Sequence, residues 1–218
     1  MSRLDWLSPL ALVGAVLCVA PACGGDDDDD NVDAGPGGGD AGACPVVEAL
    51  GSFDPLPAAS ALHFTQDNDK DPTLRYLSVA GNVSDSRLDL LLVELWDNFG
   101  AFEGGQLEAG TFAIEGDEAA LQSCGVCIQL LVNVTRDASG AINVDKQYVG
   151  TGGTVTVESI GTRDGDEFIG NYTGSVSGLT LVEVDPTPMS GGVPLPGGCE
   201  TGIESTSWDA VIENGDDE

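Results

Sequence analysis

Basic residues and histidine are scarce in this chain of 218 residues. Lys and Arg together number seven against 37 Asp and Glu, which gives a formal net charge of −30 at pH 7. A surface with this charge repels phosphate backbones, so nucleic acid is not an expected partner. His63 is the single histidine and lies in no recognisable nucleophile motif. We therefore expect a protein that is not an enzyme and that uses no cofactor.

Long apolar runs are also missing. The main one, over residues 10–20, is too short to cross the hydrocarbon of a bilayer. It follows Arg3 and precedes small residues, a pattern typical of a secretory signal peptide, here residues 1–22. The sequence APAC, ending at Cys23, resembles the lipobox of bacterial lipoproteins, which implies that Cys23 receives the lipid. The alternative is ordinary secretion, with Cys23 as a free or disulfide-bonded thiol.

Residues 23–43 have the composition of a tether. Five consecutive aspartates, residues 26–30, stand among Gly, Ala, Asn and Pro, which cannot bury enough apolar surface to fold. Extended at up to roughly 3.3 Å per residue, such a segment could hold a domain tens of ångströms from a bilayer. The predicted location is the cell envelope, at the outer membrane or the cell surface, with a lipid anchor as the contact to the membrane.

Helical periodicity is absent from the rest of the chain, residues 44–218. Val, Thr, Ser and Gly recur there with a period of two and with frequent turn signals. This pattern predicts an all-β fold, a single antiparallel β-sandwich of the jelly-roll kind with about nine strands. The predicted strands are residues 75–83, 89–97, 111–115, 127–135, 146–150, 154–160, 168–176, 179–184 and 203–212, with one short helix at 117–122.

Alternation along each predicted strand assigns side chains to two faces. We expect the following residues to point inward: Leu91, Val93, Leu95, Ile128, Leu130, Val132, Val134, Val155, Val157, Trp208, Ala210 and Ile212. This places Glu94 and Trp96 together on the outer face. An exposed tryptophan beside a carboxylate can bind a glycan, although a neighbouring loop more often covers it. Glu94 and Trp96 are therefore weak candidates for a glycan site.

Four cysteines follow the tether, an even number in an exported protein, so disulfides are expected. We favour Cys44 with Cys199 and Cys124 with Cys127, while the two crossed pairings remain open. The CGVC sequence at residues 124–127 has the spacing of a redox motif, but it enters a predicted strand and no helix follows it. We expect a structural disulfide there, and neither a redox centre nor a zinc site.

The sequence DNDKD, residues 67–71, places Asp67, Asp69 and Asp71 at alternate positions, as calcium loops do. Pro72 stands where an EF-hand loop requires glycine, and Ser78 where it requires glutamate. An acidic surface turn is the favoured interpretation. Calcium binding at these three aspartates is a weak alternative.

Several blocks, taken in order, resemble an uncharacterised family of predicted lipoproteins from myxobacteria. They are VELWDNFGAFEGG (93–105), GTFAI (110–114), CGVCIQLLVNV (124–134), GTGGTVTVESI (150–160), GSVSGLTLVEV (174–184) and PLPGGC (194–199). The resemblance covers most of residues 75–212. It implies an envelope location and a β-rich domain, and it assigns no activity, ligand or partner.

Overall fold

The structure, a computed structural model, describes residues 50–68, 71–165, 167–186 and 192–215, apart from the side chains of residues 65–74. The predicted signal peptide, the tether, Cys23 and Cys44 lie outside these residues. The all-β prediction is confirmed, since the described regular structure consists of strands and short 3₁₀ turns. The strands are β1 (Ser52–Phe53), β2 (Ser60–Asn68), β3 (Asp71–Asn82), β4 (Leu90–Trp96), β5 (Gly110–Ala113), β6 (Val126–Val132), β7 (Thr135–Arg136), β8 (Ile142–Asn143), β9 (Lys146–Asp164), β10 (Glu167–Val184) and β11 (Glu200–Asn214).

One large sheet contains nine of these strands. Its order is β1-β11-β10-β9-β6-β4-β3-β2, and β5 pairs with the middle of β9. A further pairing joins β11 to β2, so that seven strands form a closed ring. The sheet is mixed rather than purely antiparallel as predicted, because β11 pairs in parallel with both β1 and β2. Parallel neighbours cannot be joined by a tight hairpin, and here they come from opposite ends of the described chain.

The start of the described chain covers the edge of β11. The Leu50 N–H donates to the Gly202 oxygen at 2.8 Å, and the Leu56 N–H donates to the Ser207 oxygen at 2.7 Å. Farther along, Ala61 of β2 is opposite Ile212 of β11. Unpaired strand edges promote aggregation, and this segment leaves little of the β11 edge open.

Two long strands replace four predicted ones. Residues 146–150 and 154–160 belong to β9, and residues 168–176 and 179–184 belong to β10. Between the predicted halves, Gly153 and Gly178 have φ angles of +107° and +59°, and the ladder shifts register near Thr180. These glycines form bulges and do not end the strands. Asp164, the last residue of β9, and Gly165, with φ of +64°, lead into the turn that connects β9 to β10.

The main core fills the ring. Its buried side chains come mainly from β2–β4, β6 and β9–β11, so opposite walls share one apolar interior as the two layers of a sandwich do. All twelve residues predicted to point inward are buried, and eleven of them belong to this cluster. The exception is Val134, which packs instead with Leu90 and Leu92 on the other face. Asn133 before it has φ of +53°, which breaks the strand alternation.

Strand β4 is buried on both faces, because the main core lies on one side of it and the second cluster on the other. Leu91, Val93 and Leu95 face the main core. Leu90 and Leu92 lie in the second cluster, with Ile142 of β8 and Val144 packed against it. The apolar run LLLV therefore reflects a strand between two apolar layers.

Strand β2 was absent from the sequence prediction. Ala61 and His63 point to the interior, where both are buried, and the His63 ring lies 4.7 Å from the Phe168 ring. The Nδ1 atom of His63 is 3.0 Å from Oδ1 of Asn214. A polar residue at an inward position hid the period-two pattern of this strand. The predicted short helix is also reduced, to a 3₁₀ turn at Gly116–Ala119.

Gly174 of β10 lies directly opposite Trp208 of β11. A Cβ atom at residue 174 would stand 2.5 Å from Cζ2 of Trp208 and would also collide with the backbone oxygen of Thr156. We predict that Gly174→Ala lowers the free energy of unfolding by about 3 kcal/mol, the upper end for an overpacked core. Urea denaturation provides the measurement.

The matched control is Gly105→Ala, where a Cβ would have its nearest neighbour, the Phe102 oxygen, at 3.6 Å. That change should stay within about 0.5 kcal/mol. Equal effects of the two substitutions would contradict the packing of Trp208 over Gly174.

Candidate functional site

The structure places Glu94 and Trp96 on the same face of β4, as predicted, opposite the main core. Cross-strand partners fix their neighbours: Tyr76 of β3 is opposite Trp96, and Cys127 of β6 is opposite Glu94. This face is not open at Glu94, because the residue is only 3 % exposed. Trp96 is half-buried. The carboxylate is therefore a buried group and not a surface group beside an exposed ring.

Three aromatic rings form a row beside Glu94. Phe64, Tyr76 and Trp96 are direct cross-strand partners on β2, β3 and β4. The ring centroids of Phe64 and Tyr76 are 6.5 Å apart, and those of Tyr76 and Trp96 are 4.3 Å apart. All three residues are partly exposed. Of these rings, Trp96 alone was predicted from the sequence, because the other two reach this row only through strand pairing.

Both carboxylate oxygens of Glu94 accept hydrogen bonds. The Tyr76 hydroxyl donates to Oε1 at 2.8 Å, and Gln129 Nε2 donates to Oε2 at 2.8 Å. Gln147 Nε2 in turn donates to Gln129 Oε1 at 2.6 Å. The result is a chain of polar side chains across β3, β4, β6 and β9. We name it the Glu94 network, made of Tyr76, Glu94, Gln129 and Gln147.

The Glu94 network satisfies a buried carboxyl group with internal donors. A buried carboxylate without such donors would be strongly destabilising, whereas a fully bonded polar network fixes the strand register around it. Burial, followed by the Glu94 charge, raises the pKa of Tyr76 well above its ordinary value. The sequence carries a signal for this network: Glu94 and Gln129 are polar residues inside the apolar strands LLLVELW and VCIQLLV.

A second buried carboxylate, Asp97, follows directly after β4. Asp97 is fully buried, its Oδ1 accepts the Arg75 N–H at 2.8 Å, and its Oδ2 lies 3.4 Å from the Arg75 guanidinium. Burial raises the pKa of Asp97, and the bonds to Arg75 partly offset that rise. Asp97 thus joins β3 to the turn after β4.

The CGVC segment contains a disulfide between Cys124 and Cys127, as predicted, and both residues are 1 % exposed. Cys127 lies in β6, and the element before the motif is the 3₁₀ turn Gly116–Ala119 rather than an α-helix. Low-pKa redox cysteines need access and a stabilising group such as a helix N-terminus. The arrangement at CGVC is that of a buried structural bond.

Glu118 and Gly125 hold the loop that carries this disulfide. Glu118 Oε1 accepts the Ala101 N–H at 2.6 Å, and its Oε2 accepts the Val126 N–H at 2.5 Å. A Cβ at Gly125 would stand 2.9 Å from the Ala101 nitrogen and would collide with the Phe99 oxygen. The glycine of CGVC is thus required by close backbone approach.

Cys199 is also disulfide-bonded. Its proposed partner, Cys44, lies outside the described residues, so the pairing of Cys44 with Cys199 stays a prediction. Around Cys199, the backbone N–H donates to Glu183 Oε2 at 2.8 Å, and Lys146 Nζ is 2.9 Å from Glu183 Oε1. This ion pair fixes the chain where it enters β11.

The calcium candidates lie at the junction of β2 and β3. Asn68 pairs with Asp71 across these strands, and Asp67 belongs to β2. Asp69 and the side chains of Asp67 and Asp71 lie outside the described part of the structure, so calcium binding there stays untested. Elsewhere in the described residues, no group of three or more His, Cys, Asp or Glu could hold a metal ion.

Comparisons with protein-family models, with curated proteins and with solved structures found no match for this chain. Within the described ranges, no helix has the length and hydropathy that a membrane crossing requires.

All three tyrosines of the chain have raised pKa values. Burial is the main cause for Tyr76 and Tyr172, and it raises the pKa of Tyr148 to about 12. The folded state therefore keeps protons that the unfolded state releases near pH 10. This contribution to stability is complete below pH 10 and is lost as the pH rises toward 12.

We predict that ultraviolet titration of phenolate in the folded protein shows no ionisation near pH 10, and that phenolate appears together with alkaline unfolding. Circular dichroism on the same samples reports the fold. A tyrosine that ionises with a pKa of about 10 while the fold is intact would contradict the burial of these hydroxyls.

For CGVC, we predict that replacing Cys124 and Cys127 together by serine lowers the free energy of unfolding by about 2 kcal/mol, as expected for a short closed loop. The native protein should not reduce insulin with dithiothreitol as electron donor. Turnover of insulin that disappears in Cys124→Ser would show instead that the motif is a redox centre.

Proposed function

We propose that this protein is a lipid-anchored lipoprotein of the cell envelope whose folded domain is a non-enzymatic structural or interaction module. The signal-like segment at residues 1–22, the lipobox-like APAC and the acidic tether support the anchor. A lipidated cysteine supplies about 0.8 kcal/mol per buried CH₂ group, enough with two or more acyl chains for stable attachment. The proposed site is the outer membrane or the cell surface.

The main support for a non-enzymatic domain is the Glu94 network. Catalytic acids and bases need contact with substrate and a pKa matched to the reaction. Glu94 is 3 % exposed and has both oxygens bonded to internal donors, and Asp97 is fully buried against Arg75. These two buried carboxylates thus bond to the protein itself and stabilise the fold. The strongly acidic surface favours a cationic or neutral partner over nucleic acid.

The anchor is tested by detergent-phase partitioning of the expressed full chain. We predict that the wild-type protein enters the detergent phase and that Cys23→Ala moves it to the aqueous phase, because the thioether-linked lipid is lost. Cys18→Ala is the matched control, since Leu17 before it is too large for the processing site; this variant should partition like the wild type. Wild-type protein that stays aqueous would contradict the anchor.

A second candidate function is extracellular binding of a glycan. The row of Phe64, Tyr76 and Trp96 favours it, because partly exposed rings on neighbouring strands can stack on the apolar faces of sugars. Trp96→Ala should then weaken retention in affinity electrophoresis on a neutral polysaccharide at least tenfold. The control is Trp208→Phe, which alters the core alone. Equal retention of wild type and Trp96→Ala would remove this candidate.

The alternative to glycan binding is calcium binding at Asp67, Asp69 and Asp71. Calorimetry that shows saturable binding, abolished in Asp69→Asn, would support it, whereas the absence of a heat signal up to millimolar calcium would exclude it.

A further inference from the structure

Asn214 and Gly215 lie at the C-terminal end of β11, where the ring closes. They form the one Asn-Gly sequence of the chain. Asn214 pairs with His63 of β2, and the Gly215 N–H donates to the His63 oxygen at 2.9 Å. We name this contact the closing seam, made of residues 61–63 of β2 and residues 212–215. The Asn-Gly sequence is thus part of the pairing that completes the sheet.

The Asn214 side chain links three strands at the closing seam. Its Oδ1 accepts the Phe168 N–H at 3.1 Å, and its Nδ2 donates to the Phe168 oxygen at 2.9 Å. These two bonds fix which end of the side-chain amide is the oxygen. His63 Nδ1, 3.0 Å from the same Oδ1, therefore carries a proton and donates a hydrogen bond. One amide group thus joins β2, β10 and β11.

An asparagine that precedes glycine can lose its side-chain amide without an enzyme. The backbone nitrogen of the glycine gives up its proton and attacks Cγ of the asparagine, and ammonia leaves. Water then opens the cyclic succinimide at either carbonyl, which produces aspartate or isoaspartate. Glycine hinders the attack least among following residues, because it has no Cβ. The reaction needs water as its single co-reactant.

The closed seam blocks both reacting groups. The attacking nitrogen would be that of Gly215, whose proton is bonded to the His63 oxygen. The side-chain amide under attack is held by both of its bonds to Phe168. Asn214 also belongs to an extended strand, which directs its side chain away from the backbone that follows. The attack therefore requires the seam to open first.

Packing requires the glycine that makes Asn214 reactive. A Cβ atom at residue 215 would collide with the ring of Phe64, which belongs to β2. A larger residue at position 215 would slow the attack on Asn214, but it would also displace Phe64 from the seam. The reactive sequence is thus a consequence of how the ring closes.

We propose that Asn214 is a self-modification site controlled by ring closure, intact in the closed ring and converted to aspartate or isoaspartate when the seam opens. Conversion then opposes closure. A carboxylate at residue 214 has no proton for the Phe168 oxygen and faces it as an anion. Isoaspartate adds a carbon to the main chain, which moves the Gly215 N–H out of register with the His63 oxygen. A transient opening of the ring thereby becomes permanent.

The rate of conversion tests this control by ring closure. The full chain is incubated at mildly alkaline pH, either folded in buffer or unfolded in guanidinium chloride, and mass spectrometry follows the peptide that contains residues 214 and 215. We expect conversion to be at least about tenfold slower in the folded protein, because its rate follows the population of the open seam. Equal rates in the two states would overturn the proposal.

The effect of conversion is tested with Asn214→Asp. We expect this variant to lower the thermal midpoint by several degrees and to speed amide exchange at Gly215, while amides at the centre of β4 stay protected. Asn143→Asp is the matched control, because residue 143 is exposed on β8, outside the seam, and it should leave both measurements unchanged. Asn214→Asp with the midpoint and the Gly215 exchange of the control would also overturn the proposal.

Discussion

The parallel pairing of β2 with β11 is the interaction on which the rest of the structure depends. It joins Ala61, near the start of the described chain, to Ile212, near its end. The backbone bond from the Gly215 N–H to the His63 oxygen, at 2.9 Å, continues the pairing by one residue. Without this contact the sheet would have two open edges, and the interior lined by Leu77, Leu91 and Trp208 would be exposed along its length.

Closure also determines what the two faces of the sheet can do. The inner face must be apolar and tightly filled, and its few polar groups need partners inside the ring. The outer face of β4 is covered as well, so Glu94 lies between strands and not at a solvent-filled cleft. Its bonds to Tyr76 and Gln129 connect β3, β4 and β6 through side chains in addition to the backbone ladder. These features agree with the proposed role of the domain as a structural or interaction module.

Local sequence patterns predicted much of the fold. Alternation in β3, β4, β6 and β11 identified these strands and their inward residues, because one face of each strand packs in the core. Alternation wrongly predicted strand breaks at Gly153 and Gly178, since a glycine that ends a strand and one that forms a bulge look alike in sequence. It also missed β2, where His63 occupies an inward position through its contact with Asn214 and Phe168.

The candidate site was less predictable than the strands. Trp96 and Glu94 could be placed on one face, but their burial depends on which strands lie beside β4. Pairing with Tyr76, Gln129 and Cys127 joins residues far apart in sequence, and no local pattern encodes it. The same limit applies to ring closure, which depends on residues about 150 positions apart. The one local signal for the Glu94 network was a polar residue inside an apolar strand, Glu94 in β4 and Gln129 in β6.

Amide hydrogen exchange tests ring closure most directly. The Leu56 amide, among the first described residues, donates to Ser207 of β11. The Gly215 amide, just after β11, donates to His63 of β2. We predict that both exchange slowly, in the same class as amides at the centre of β4, because opening them requires opening the ring. Exchange of both amides at the rate of an unstructured chain, while β4 stays protected, would show an open sheet and contradict ring closure.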